Sequence, residues 1–237
     1  MKAIRIISSV MLCVLVLGLS SVPASISSVR SLMADSAWLT RGTATQVMIL
    51  AVSLVLILCF SRGNLTRYGF RRSTIKQIKA AFLFGSIAAV TVHVLLAVLW
   101  KLLSLSENQP VIAGSSFVQI VISVWILASI SEEMLFRSLI QSFLGPLREH
   151  GVSIFGIRLS LPVLIAALLF GLVHIMLLTT GADIYFIAGI VSSAVVLGIV
   201  AGYYREKSGS LLPAILVHML FNAYGGAVQY IQQLVFK

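Results

Sequence analysis

Charged residues are scarce in this chain. Asp and Glu together number seven among 237 residues, and all charged residues make up 10%, whereas an ordinary soluble domain carries about 25%. Hydrophobic residues account for 59%. This composition excludes a soluble globular protein, and no polar segment is long enough to form a separate soluble domain.

Cysteine is also nearly absent. Cys13 and Cys59 both fall inside apolar runs, so we expect buried small side chains and neither a disulfide framework nor a cysteine metal site. The HExxH motif is missing as well, which removes the usual signature of soluble zinc peptidases.

Long apolar runs dominate what remains. A helix that crosses a membrane needs about 20 mostly apolar residues, and seven stretches meet this condition. We therefore predict an all-α, polytopic transmembrane helix bundle with about seven spans. The predicted spans are 6–22, 43–61, 80–102, 115–143, 160–178, 184–204 and 210–234.

The basic residues predict the orientation. If the N-terminus is cytoplasmic, twelve Lys and Arg residues lie on the cytoplasmic side and four on the other, which agrees with the positive-inside rule. The twelve are Lys2, Arg5, Arg62, Arg67, Arg71, Arg72, Lys76, Lys79, Arg148, Arg158, Arg205 and Lys207, and the four are Arg30, Arg41, Lys101 and Lys237. Topology thus explains the net charge of +10, and we expect no nucleic-acid partner.

The chain divides into N-terminal transmembrane helices over 1–61, a basic interfacial segment over 62–79 and a membrane core over 80–237. The basic segment suits a cytoplasmic helix lying against anionic lipid headgroups. Residues 1–24 also resemble a signal sequence, with a basic start, an apolar run and small residues at a potential cleavage site. An uncleaved anchor is the alternative, and both interpretations stay open.

Two adjacent carboxylates, Glu132 and Glu133, stand in an otherwise apolar stretch. An ionisable group at bilayer depth is costly, so it marks a functional site by default. Arg137 lies one helical turn after Glu133 and can pair with it. Glu132 points about 100° away from Glu133 on a helix and has no cation nearby in sequence, which suits a general base. A structural ion pair and an ion pathway are the alternatives.

Two further spans each carry a histidine near mid-depth. Counted from the cytoplasmic helix ends, Glu132, His174 and His218 lie roughly 17, 21 and 14 Å deep, so we expect them to meet in one cavity open to the cytoplasm. Asn222 shares a helix face with His218. His93, in the third span, is interpreted as an interhelical hydrogen-bonding residue.

These groups have the chemistry of a hydrolytic site. Glu132 and His174 could position and deprotonate a water, while His218 and Asn222 could donate hydrogen bonds to an oxyanion. Glu132, His174 and His218 could instead hold Zn²⁺.

Three motifs carry a family resemblance. They are Glu132-Glu133-Met-Leu-Phe-Arg137, Phe170-Gly-Leu-Val-His174 and His218-Met-Leu-Phe-Asn222. In order and spacing they resemble EExxxR, FxxxH and HxxxN/D of the CPBP intramembrane proteases, which include type II CAAX prenyl endopeptidases and bacteriocin-processing and immunity proteins. The resemblance covers roughly residues 62–225.

This resemblance implies an endopeptidase that cuts membrane-associated or prenylated protein or peptide substrates. Glu132 would activate water, directly or through a metal, Glu133 and Arg137 would be the orienting ion pair, and His174 would hold the water. His218 and Asn222 would stabilise the oxyanion. The compact chain and the distribution of the family lead us to expect a bacterial plasma membrane. A non-catalytic immunity or scaffold protein and a proton-coupled transporter are the competing hypotheses.

Overall fold

The computed structural model describes residues 2–34, 38, 40–104 and 115–235. The helices within these residues are α1 (Lys2–Ser21), α2 (Ser27–Ala34), α3 (Arg41–Ser61), α4 (Ile75–Leu102), α5 (Phe117–Phe143), α6 (Leu161–Val173), α7 (Ile184–Ser208) and α8 (Leu212–Val235). A 3₁₀ segment, His174–Thr180, continues α6.

The predicted all-α membrane bundle is confirmed. Across the described residues, six helices are long and apolar enough to cross a membrane, namely α1, α3, α4, α5, α6 with its continuation, and α7. The seventh predicted span corresponds to α8, whose apolar part, Leu212–Val228, is shorter. The chain is an integral, multi-pass membrane protein.

Helix α5 has an uncommon backbone. Two π-helical segments, Val121–Ala128 and Met134–Ile140, flank the short α-helical segment Ser129–Glu133. In a π-helix each hydrogen bond reaches one residue further than in an α-helix, and such segments occur frequently at functional sites. The apolar pattern alone predicted an ordinary helix here. The acidic pair therefore lies where the backbone changes from one helical type to the other.

The basic segment 62–79 differs from the predicted interfacial helix. It forms a 3₁₀ turn, Leu65–Tyr68, and an extended stretch, and α4 then begins at Ile75. A capping box between Thr74 and Gln77 fixes this start by satisfying backbone N–H groups that have no partner within the helix. Tyr68 is buried, and its carbonyl oxygen accepts a hydrogen bond from Ser138 of α5. The segment is thus held against the bundle.

A small β-hairpin is the other departure from the all-α prediction. Strands β1 (Gly151–Ile154) and β2 (Ile157–Ser160) pair antiparallel. The turn residues Phe155 and Gly156 both have positive φ, as tight hairpin turns require. The hairpin connects α5 to α6.

Close helix contacts build the core. A Cβ atom added at Gly198 of α7 would lie 2.7 Å from the Cα atom of Ala167 of α6. Small residues allow membrane helices to approach this closely. Residues 133–140 of α5 are all buried at the centre of the bundle. They hold α5 in one position relative to its neighbours.

The two ends of the bundle differ in charge. We call the end formed by residues 62–79, 144–160 and 205–211 the basic end. There Arg205 donates hydrogen bonds to the carbonyl oxygen of Arg67 and to Ser142, and Arg148 pairs with Glu206 at 3.0 Å. We call the other end, with residues 38, 40–43, 96–104, 115–119 and 176–186, the distal end. Lys237, counted among the four residues of that side, lies outside the described residues.

Candidate active site

The two adjacent glutamates have different surroundings. Oε2 of Glu133 lies 3.1 Å from Nε of Arg137, and neither side chain is exposed. The predicted ion pair is therefore present. The side chain of Glu132 remains 16% exposed. Glu132 is thus the carboxylate that can reach water or a substrate.

Arg137 is a buried cation with an aromatic environment. Its Cζ atom lies 4.8 Å from the ring centroid of Phe170 and 5.9 Å from that of Phe136. Its two terminal nitrogens have no hydrogen-bond partner among the described residues. One carboxylate and the faces of two rings therefore stabilise the guanidinium. Phe170, the first residue of the FxxxH motif, has a structural role here that the sequence analysis did not assign.

His218 lies between the two glutamates. Its Nδ1 is 3.0 Å from Oε1 of Glu133, and its Nε2 is 3.7 Å from Oε2 of Glu132. Because a carboxylate accepts hydrogen bonds, Nδ1 carries a hydrogen. Nε2 then accepts hydrogen bonds in the neutral ring and donates in the protonated ring. The 3.7 Å separation exceeds a direct hydrogen bond but suits a bridging water or substrate atom.

His174 is anchored in a similar way. Its Nδ1 lies 2.8 Å from the carbonyl oxygen of Phe170, so Nδ1 is the donor and Nε2 is left as an acceptor in the neutral ring. The Phe170 ring contacts both histidine rings edge-on, at centroid distances of 5.1 Å to His174 and 5.4 Å to His218. One aromatic side chain thus sets the positions of both imidazoles.

Gln46 of α3 is a site residue that the sequence analysis missed. Its Nε2 donates a 2.6 Å hydrogen bond to Oε1 of Glu132, and its Oε1 accepts one from Ser131. The sequence feature that could have identified Gln46 is its amide side chain, which stands inside an apolar span. The hydrogen bond occupies one oxygen of Glu132 and leaves Oε2 on the side of His218.

Asn222 has a different position from the one its predicted role requires. Its Nδ2 donates to the carbonyl oxygen of Val124 at 3.0 Å and to Oγ of Ser129 at 3.1 Å. An amide nitrogen has two hydrogens, so both are engaged and neither is available to an oxyanion. Asn222 instead ties α8 to α5 immediately before the acidic pair.

One cavity of about 640 Å³ brings the water-accessible candidates together. Glu132, His174, His218 and Asn222 all line it, together with Gln46. His93 lines it as well, and its Nε2 lies 3.4 Å from Oγ of Ser193 on α7, in agreement with the predicted interhelical hydrogen bond. All three tryptophans of the chain, Trp38, Trp100 and Trp125, are also in the wall.

The direction of this cavity corrects the sequence analysis. Its lining continues from Glu132 to the distal end, at Thr40 and Arg41 at the start of α3, Trp100 of α4 and Thr179 after α6. The cavity thus opens at the end opposite the basic end. The two predictions, a cytoplasmic basic end and a site that opens to the cytoplasm, are therefore incompatible. The depth count gave the distance of Glu132 from the basic end, but the buried residues 133–140 close that half of the bundle.

Zinc binding by Glu132, His174 and His218 stays a prediction. Glu132, His174 and His218 share the cavity, yet among the described residues no group of three His, Cys, Asp or Glu side chains is placed to hold one ion. Direct activation of water by Glu132 does not need three metal ligands around one ion.

Comparison with known families agrees with this geometry. The family model for type II CAAX prenyl endopeptidase Rce1-like proteins matches residues 114–224, which contain all six predicted site residues. The match supports a CPBP-family intramembrane protease. No curated protein and no solved structure matched the chain.

The matched residues begin just before α5 and end in α8. The matched region therefore coincides with the helices that supply the acidic pair, both site histidines and Asn222. Gln46 lies outside the matched residues, on α3. A protease family implies a peptide or protein substrate.

Proposed function

We propose that this protein is an intramembrane endopeptidase in which Glu132 activates the attacking water. The supporting observation is the position of Glu132 Oε2, which lies 3.7 Å from His218 Nε2 in a common cavity. The alternative use of this carboxylate, as a purely structural ion pair, is disfavoured because Arg137 already pairs with Glu133.

The first step is activation and attack of water. Glu132 Oε2 accepts one proton of the water, and His174 Nε2 accepts a hydrogen bond from it and orients it. The water oxygen then forms a bond with the carbonyl carbon of the scissile peptide, which becomes tetrahedral. General-base catalysis of this kind contributes about 10²- to 10⁴-fold.

The second step is stabilisation and collapse of the tetrahedral intermediate. In this mechanism His218 enters the cycle already protonated on both ring nitrogens and keeps both protons, donating from Nδ1 to Glu133 and from Nε2 to the oxyanion. The C–N bond then breaks, and the proton held by Glu132 passes to the leaving nitrogen. The products are a carboxylic acid and an amine. Asn222 contributes by fixing α5 against α8, since its amide hydrogens are engaged elsewhere.

Comparative peptidomics of membranes tests the proposal. Cells that express the wild type, Glu132→Gln or Glu149→Gln are compared for peptides with new termini. Glu149 is the matched control, because it is exposed near the basic end and is not among the cavity-lining residues. We expect products in the wild type and the control and a loss of roughly 10²- to 10⁴-fold in Glu132→Gln.

The opposite result has a clear meaning. Equal products in all three strains, with each variant folded and inserted, would contradict the catalytic role of Glu132. A phenotype that needs the protein but is unaffected by Glu132→Gln would then support a non-catalytic scaffold or immunity function.

A further inference from the structure

The β-hairpin at the basic end has two unlike faces. Residues that pair directly across an antiparallel hairpin point to the same face, and successive residues alternate between faces. The pairs on one face are all apolar, and they are Val152 with Leu159 and Ile154 with Ile157. Ser153 pairs with Arg158 on the opposite face. Leu159 is 8% exposed, whereas the other three apolar residues of the face are 47–49% exposed. Most of the apolar face is therefore not covered by the described residues.

The tip of the hairpin carries an aromatic ring in an unfavourable position. Phe155 is 100% exposed, and its φ of 50° lies in the left-handed region, which is uncommon for a bulky side chain. Two-residue hairpin turns with positive φ favour Asn, Asp or Gly instead. Neither the backbone geometry nor a contact within the described residues accounts for Phe at this position. We therefore look for the partner of the ring outside the chain.

The base of the hairpin is fixed to the bundle. Oε2 of Glu206 on α7 accepts a 2.6 Å hydrogen bond from the hydroxyl of Ser160, and its Oε1 pairs with Arg148 at 3.0 Å. The carbonyl oxygen of His150 accepts a 2.6 Å hydrogen bond from the backbone N–H of Leu161. These contacts hold the outer ends of both strands, so the apolar face has a defined direction relative to α6 and α7.

The position of the hairpin makes the bilayer the nearest apolar phase. Strand β2 ends at Ser160, and α6, which is long enough to cross a membrane with its continuation, begins at Leu161. Helix α5, which is also long enough to cross, ends at Phe143. Each strand has four residues, so the hairpin reaches roughly 13 Å at about 3.3 Å per residue. The hairpin thus stays close to the membrane surface.

The surroundings of the hairpin are strongly basic. The basic end contains two acidic residues, Glu149 and Glu206, and ten Lys and Arg residues. The ten are Arg62, Arg67, Arg71, Arg72, Lys76, Lys79, Arg148, Arg158, Arg205 and Lys207. Apolar side chains beside a basic surface are typical of segments that lie in the interface of an anionic membrane. Arg158, on the polar face, remains exposed and can contact headgroups while the opposite face contacts acyl chains.

We propose that the β-hairpin is a membrane-interface anchor whose partner is the anionic surface of the bilayer. The apolar face and Phe155 insert at the boundary between headgroups and acyl chains, and Arg158 binds lipid phosphates. The hairpin joins α5, which carries Glu132, to α6, which leads to His174. The anchor therefore sets the membrane depth at which these two helices meet. This inference is independent of the catalytic role of Glu132.

Spin labelling in vesicles tests the anchor. In a Cys13→Ala, Cys59→Ala background, a nitroxide at Ile154→Cys reports on the apolar face and one at Ser153→Cys on the polar face. The two positions are adjacent and both are exposed in the protein itself, so a difference between them requires an external partner. The protein is reconstituted in vesicles of phosphatidylcholine and phosphatidylglycerol, and collisions of each label with a water-soluble nickel chelate are measured by power saturation.

We expect the label at Ile154→Cys to collide with the nickel chelate about tenfold less often than the label at Ser153→Cys, because burial of large apolar side chains favours the inserted state by roughly this factor or more. Adding Phe155→Asn to the Ile154→Cys protein removes the ring but keeps the hairpin, since Asn before Gly156 suits the turn. Nickel collisions should then rise toward the level at Ser153→Cys.

Four outcomes would contradict the anchor. Equal collision rates at the two labels would show that the apolar face stays in water. Protection of Ile154→Cys that persists with Phe155→Asn would refute insertion through the ring. Protection that is equally strong in phosphatidylcholine alone would refute the role of anionic headgroups. Protection that grows with the protein-to-lipid ratio, together with spin–spin broadening, would identify a second copy of the chain as the partner instead.

Discussion

Nε2 of Gln46 lies 2.6 Å from Oε1 of Glu132 and joins two helices at the proposed catalytic base. Oε1 of the same amide accepts a hydrogen bond from Ser131, so Gln46 cannot rotate without losing both contacts. The pair fixes the orientation of the Glu132 carboxylate and directs its second oxygen toward His218. Gln46 thus acts as a positioning residue for Glu132.

Replacing Gln46 by Leu should slow turnover without unfolding the protein. The substitution keeps a similar shape and removes a hydrogen bond to a charged group, which is worth about 1.5–3 kcal/mol. We expect kcat to fall roughly 10- to 100-fold, with a smaller change in KM. Turnover of a substrate identified by peptidomics provides the measurement.

Ser131→Ala is the matched control for Gln46→Leu. It removes the contact to Gln46 but leaves the hydrogen bond from Gln46 to Glu132, so its effect on kcat should be smaller. Unchanged kcat in Gln46→Leu would show that Glu132 is positioned by other contacts.

The sequence predicted the parts of the site that are local in the chain. Glu133 and Arg137 are four residues apart, and helical geometry alone brings them together. Gln46 is 86 residues from Glu132, and its contact depends on how α3 packs against α5. The engagement of Asn222 with Val124 likewise depends on two helices and a π-helical backbone. The spacing of residues along the sequence does not predict such contacts between helices.

The direction in which the cavity opens was likewise not predictable from the sequence. Counting residues placed Glu132 and His218 at similar depths, and the structure confirms that they meet. The depth count did not show which half of the bundle is filled by packed side chains. That depends on the packing of residues 133–140 against neighbouring helices. The positions of the groups were thus predictable, whereas the route to them was not.

Loss of the Arg137 charge should destabilise the protein strongly. Arg137→Met leaves Glu133 buried without its cation, and removing one partner of a buried ion pair costs about 3–5 kcal/mol. In Arg137→Met with Glu133→Gln, no uncompensated charge remains, and the amide oxygen of residue 133 can still accept from His218. We expect thermal unfolding in detergent to show a large loss in the single variant and partial recovery in the double variant.

The comparison of these two variants shows why Arg137 stabilises the protein, by its charge or by its packing. If the double variant were as unstable as Arg137→Met, the contacts of Arg137 with Phe170 and Phe136, rather than its charge, would account for the loss.

Asn222→Leu should separate a structural role from a catalytic one. The substitution leaves the Val124 carbonyl oxygen and the Ser129 hydroxyl without their donor, and an unsatisfied buried group costs about 1–3 kcal/mol. We expect lower thermal stability and a modest fall in kcat. An oxyanion donor would behave differently, because its removal lowers kcat about 10²- to 10³-fold. A loss of that size at unchanged stability would restore the oxyanion role.

Chelation should leave the activity of the purified protein intact. The described residues contain no group of three His, Cys, Asp or Glu side chains placed around one point. Glu132 can activate water without a metal, so turnover should be unchanged after incubation with EDTA or 1,10-phenanthroline. Elemental analysis should find far less than one zinc per chain. Stoichiometric zinc that disappears in both His174→Ala and His218→Ala, together with loss of turnover on chelation, would establish a metalloprotease. It would also require a rearrangement that brings Glu132 and the two histidines around one ion.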